Sequence, residues 1–126
     1  MFSWLARRGE SEAARSLAEL EVHDIVFSGE QDGPAEQRLK EHLAQLFDRH
    51  PGITKAFLAR ATIEGQATVV LALWADGVDE SGLAREVGVV FASIFNARQH
   101  LDIVFLSHAQ LAEASRVCRV FYDRAD

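Results

Sequence analysis

The chain has 126 residues, one cysteine and a formal charge of −6. This length suits one domain, with a core large enough to fold without disulfides or metals, and one cysteine cannot form an intrachain disulfide. The acidic balance argues against binding phosphate backbones, which takes clustered Lys and Arg, and a hydrophobic content of 48% excludes wholesale disorder.

Residues 1–20 form the first predicted element, a helical extension ahead of a single α+β domain over residues 21–126. Ala13, Ala14, Leu17 and Leu20 alternate with Glu10, Glu12, Arg15 and Glu19, and Gly9 divides the segment, since glycine costs about 1 kcal/mol inside a helix. Arg7 and Arg8 follow the first apolar residues instead of preceding a long apolar core, unlike a signal peptide. No apolar run approaches the roughly 20 residues of a membrane-spanning helix. A cytoplasmic location without an integral membrane segment is therefore expected.

Residues 22–29, VHDIVFSG, are β-branched and aromatic and end at glycine, which predicts a strand. After the loop GEQDGP, Pro34 suits the first turn of a helix that runs to about Asp48. Leu39, Leu43, Leu46 and Phe47 share one face of it, and HPG at residues 50–52 stops it. Residues 53–63 and 66–75 read as a hairpin turning at Glu64-Gly65. Asp79 is a candidate N-cap for a helix reaching about Ala97, with Leu83, Val87, Val90, Phe91 and Ile94 as its stripe. Residues 101–107 predict another strand, Ser107 caps a short helix, and the tail VCRVFYD reads as extended.

The central order β-α-β-β-α-β predicts a ferredoxin-like split β-α-β antiparallel sheet with two long helices on one face, plus a C-terminal helix and strand extension. Alternation along the strands then divides their side chains between two faces. Ile53, Phe57, Ala59, Ala61 and Ile63, with Ala67, Val69, Leu71 and Leu73, are assigned to the helix side. The opposite side receives Leu58, Val70, Trp74, Val104 and Leu106, which is apolar for a surface facing water. Three covers are open for it: the N-terminal helix, the C-terminal tail or a second subunit.

The search for chemistry returns little. Arg116 and Arg119 could activate Cys118, but on a strand only Arg116 shares its face, and a lone cysteine between valines reads as a small buried hydrophobe. His23, His42, His50, His100 and His108 lack the compact spacing of zinc motifs. SGEQDGP has no Lys-Ser/Thr pair and no G-x-G-x-x-G, so it is no phosphate loop. Gly88, in mid-helix, reads as a site of close helix–sheet packing. One Trp and one Arg on the second face fall short of an RNA-binding sheet. No catalytic residue, metal ligand, cofactor or nucleic-acid partner is expected.

Pro34, Pro51, Ala56-Phe57-Leu58, Asp76-Gly77, Asp102-Ile103 and Phe121-Tyr122 together form a pattern over roughly residues 22–124. It resembles the C-terminal domain of the SseB (enhanced serine sensitivity) proteins. The resemblance implies a small bacterial α+β domain with a link to serine physiology and supplies no catalytic residues. The leading expectation is a non-enzymatic interaction module, acting as a homodimer or with another protein through Leu58, Val70, Trp74, Val104 and Leu106. The alternative is an amino-acid sensor whose ligand loop is the first strand–helix connection, Ser28, Gly29 and Gly33.

Overall fold

A computed structural model describes residues 25–96, 99 and 101–124; the extension predicted over residues 1–20 lies outside them. The elements in order are β1 (Ile25–Glu30), α1 (Pro34–Phe47), β2 (Ile53–Ile63), β3 (Gln66–Ala75), α2 (Glu80–Ile94), β4 (Asp102–Phe105), α3 (His108–Val117) and β5 (Val120–Asp123). The fold is α+β, and the described residues form one five-stranded, mostly antiparallel sheet and three helices.

Local chemistry accounts for the boundaries. Pro34 occupies the first turn of α1, where its missing N–H costs nothing. Gly33 just before it has φ 151°, and a β-carbon there would run into the Glu36 carboxylate. Gly52 closes the turn after α1 at a point where a β-carbon would overlap the Asp76 carbonyl oxygen. Ser107 caps α3 in a reciprocal capping box with Gln110. The hairpin turn carries positive φ at both central residues, 51° at Glu64 and 81° at Gly65, the twist that a two-residue turn demands.

The strand order departs from the split β-α-β expectation. Neighbours run β1-β2-β3-β4, and β5 pairs with β2. β1 lies antiparallel to β2, its successor in sequence, whereas the split arrangement would place another strand between them. β4 joins β3 in parallel, so the sheet is mixed. The cause is the length of β2. Its outer edge is shared end to end, with β1 pairing along Ala59–Ile63 and β5 along Lys55–Phe57. The tail thus closes an edge as a strand.

Two apolar layers flank the sheet. One packs Leu39, Leu43, Leu46 and Phe47 of α1 and Leu83, Val87 and Phe91 of α2 against Leu58, Leu71, Leu73 and Ile103. The other joins Ile25, Phe27, Phe57, Ala59, Ala61, Ile63, Val70, Ala72, Val104 and Leu106 to Ala114 and Cys118. The expected face assignment holds for β3 and β4 and is inverted for most of β2. Leu58 lies beneath the long helices, and Phe57, Ala59, Ala61 and Ile63 face the other way. The two-residue turn sets this register. Ile63 stands opposite Gln66 and Leu58 opposite Leu71, so odd positions of β2 share a face with even positions of β3. A bulge between Ile53 and Lys55 returns Ile53 to the long-helix side.

Candidate functional site

The second sheet face is covered in part by α3, which presents Leu111 and Ala114 to it, and by Cys118 at its C-cap. Where α3 begins, the face carries a row of side chains that stays half-exposed. Trp74 of β3 is the register partner of Lys55 on β2, and Lys55 is the partner of Asp123 on β5. Direct partners project from the same side of a sheet, so the three stand side by side. The Lys55 ammonium lies 3.0 Å from Asp123 Oδ2. The Trp74 ring packs on exposed His108, with ring centroids 4.8 Å apart. Val117 and Val120, flanking Cys118 in sequence, are 41% and 37% exposed. An aromatic anchor beside an ion pair, with open Val120 on the same strand as Asp123, is chemistry suited to a protein contact.

The residues expected to form an interaction surface separate on this scaffold. Leu58 belongs to the opposite face and is buried there. Val70, Val104 and Leu106 lie on the second face and are buried in its layer. Trp74 alone of the five reaches the half-exposed row. Lys55 and Asp123 escaped the sequence reading, because their juxtaposition requires β5 to pair with β2. The one available signal was the parity of β2, which a two-residue turn fixes.

The first strand–helix loop is a closed polar network. Ser28 Oγ donates to the Arg60 carbonyl at 3.1 Å, and the Gly33 N–H donates to Asp32 Oδ1 at 2.9 Å. A β-carbon on Gly29 would touch the Arg60 guanidinium. Buried Lys40 reaches back from α1 to Glu30 Oε2 at 3.0 Å and to Asp32 Oδ1 at 3.7 Å. The Lys40 hydrogen bond holds the Glu30 carboxyl below its ordinary range against the opposing effect of burial, and Arg119 adds to the lowering. Gln37 does the same for Asp32, helped by the Gly33 N–H. The loop therefore gathers one ammonium and two carboxylates, already engaged with one another.

Cys118 is buried, and its thiol donates to the Leu58 carbonyl at 3.3 Å. Burial, with the Glu30 charge second, pushes the thiol up to about 11, so it is protonated at neutral pH. The segment around it works as a strap. Tyr122 donates to Asp48 at 3.0 Å and packs edge-on against Phe47, and Arg124 donates to the carbonyls of Phe47 and Ile53. His50 lies 3.3 Å from Glu86, while His42 stands exposed on α1. His23 and His100 lie outside the described residues. Among the described residues, no three His, Cys, Asp or Glu side chains cluster as metal ligands, and no helix is long and apolar enough to cross a membrane.

A model described as the SseB protein C-terminal domain matches residues 31–124. No curated protein and no solved structure matches the chain.

Proposed function

The chain belongs to the SseB protein C-terminal domain family, and we propose that it acts as a non-enzymatic interaction module. Its contact surface is the half-exposed row Trp74, Lys55 and Asp123, bordered by His108 and Val120. The observation that carries this reading is Trp74, a large aromatic left half-open on a sheet face where Phe57, Val70, Ala72 and Val104 are buried. Tryptophan at such a position supplies much contact area for little entropy loss. The fitting partner is a second copy of the chain. Lys55 and Asp123 carry opposite charges side by side, so two rows facing across a two-fold axis can exchange their ion pairs.

Charge reversal tests this at the row itself. Lys55→Glu weakens self-association measured by analytical ultracentrifugation, and Lys55→Glu with Asp123→Lys restores it. Equal association by wild type and both variants would remove the row from the interface.

A second reading, amino-acid sensing at the loop Ser28, Gly29 and Gly33, draws on the Lys40–Glu30–Asp32 group, whose charges match both ends of a zwitterion. Binding there must exchange existing ion pairs for new ones. A thermal-shift series with serine at millimolar concentration tests it: a rise in Tm that Lys40→Met abolishes supports the reading, and no rise ends it.

A further inference from the structure

The strand β5 is pinned at both ends. At the far end the Arg124 N–H donates to the Thr54 carbonyl at 2.7 Å, the Arg124 guanidinium donates to the carbonyls of Phe47 and Ile53, and Tyr122 donates to Asp48. At the near end stands Arg119, between Cys118 at the C-cap of α3 and Val120 at the start of β5. It donates to Glu30 Oε1 from its backbone N–H at 3.3 Å and from Nε at 3.4 Å. The other oxygen of that carboxylate, Oε2, accepts from the Lys40 ammonium of α1 at 3.0 Å. Lys40 is itself shared with Asp32 of the first strand–helix loop, at 3.7 Å. One carboxylate at the end of β1 therefore stands between the loop and the strap. The ladder alone fixes the near end poorly. Phe57 is opposite Val120 and Ala56 opposite Tyr122, so Phe121 is an extra residue bulged between the two anchored ends.

We infer that Glu30 couples the loop to the contact row: Lys40 holds the carboxylate where it grips Arg119, and a group that engages Lys40 at the loop loosens Val120 at the border of the row. The consequence for the row rests on the contact surface proposed above, whereas the grip on β5 does not. The Arg119 guanidinium is 87% exposed, so its ion pair alone contributes little. The backbone N–H on an ionised acceptor is the stronger element. It acts on the main chain one residue before Val120, so its loss reaches the strand itself. Lys40 and Arg119 come from α1 and from the α3–β5 junction, and they meet at Glu30. Such a coupling is reciprocal: pairing through the row strengthens the hold on Lys40.

The test reads amide exchange by NMR in the full chain, at a concentration where it is a single copy. Glu30→Gln is expected to speed exchange at residues 119–121 about tenfold, and to change the Arg124 amide, held separately on Thr54, much less. Lys40→Met produces the same local acceleration and adds nothing when combined with Glu30→Gln, because both act through one carboxylate. Arg119→Ala alters only an exposed side chain and gives a smaller acceleration at the same amides, which keeps the test open should Glu30→Gln fail to fold. Unchanged exchange at residues 119–121, equal acceleration at Arg124, or effects of Lys40→Met and Glu30→Gln that add in full would overturn the inference. Association is read separately by sedimentation velocity. Glu30→Gln and Lys40→Met should weaken pairing of the chain several-fold, and pairing untouched by either would break the link from loop to row. A wild type that never pairs removes the row and leaves the exchange result standing.

Discussion

Cys118 stands between Arg116 and Arg119 in the sequence, but only in space can its reactivity be read. The sheet beneath it removes water, and the Glu30 carboxylate opposes a second negative charge nearby. Native protein should therefore react with iodoacetamide at neutral pH far more slowly than urea-unfolded protein, and equal rates would contradict the burial. The same shift has a sign in stability. A group whose folded pKa is raised to about 11 from 9.0 contributes stability at lower pH that is lost as pH climbs through that interval. Cys118→Ala should flatten this alkaline decline in urea titrations. Glu30 carries the opposite sign. Its folded pKa is depressed below 4.5, so its contribution is present above that value and disappears as pH falls through the folded pKa. Lys40→Met should remove most of this acid dependence and cost about 1–3 kcal/mol at pH 7, because Glu30 is left without its main partner. Leu58→Ala should cost about 2–5 kcal/mol as a cavity beneath the long helices. Unchanged stability on truncation would instead fit the surface position that alternation suggested.

At the scale of elements, the turn at Glu64-Gly65 decides more than its two residues suggest. It sets which side of β2 meets the long helices, and Glu64 holds φ 51° to do so. A side chain suited to that conformation should be preferred, so Glu64→Asn is expected to raise stability by up to about 1 kcal/mol in urea unfolding. A loss of stability would mean that Glu64 makes a contact worth more than the strain. The helices were legible because 3.6-residue stripes such as Leu39, Leu43, Leu46 and Phe47 admit one reading, and α3 because Ser107 is a cap recognisable in sequence, to which the structure adds Gln110. The faces of β2 were less legible. Leu58 and Phe57 are both fully buried, one on each side, so hydrophobicity could not choose between them. Only the parity imposed by the turn could, and the bulge at the start of β2 then altered it for Ile53.

For the whole molecule, periodicity named the strands but not their neighbours. Nothing in VFYD announces that it will extend the edge that β1 leaves open on β2, and that pairing joins residues more than sixty positions apart. The candidate contact row inherits this limit, since Trp74 was visible in the sequence whereas Lys55 and Asp123 became its neighbours only through the fold. The resulting picture is a sheet buried on both sides, with its helices divided between them and one rim left with an open aromatic. Sedimentation velocity of the wild type and of Trp74→Ala over a range of concentrations tests that rim most directly. The wild type should move toward twice its 14.0 kDa mass as concentration rises, while Trp74→Ala, equally folded by circular dichroism, stays at a single mass. A wild type that remains monomeric throughout, or a Trp74→Ala variant that associates just as strongly, would contradict the account.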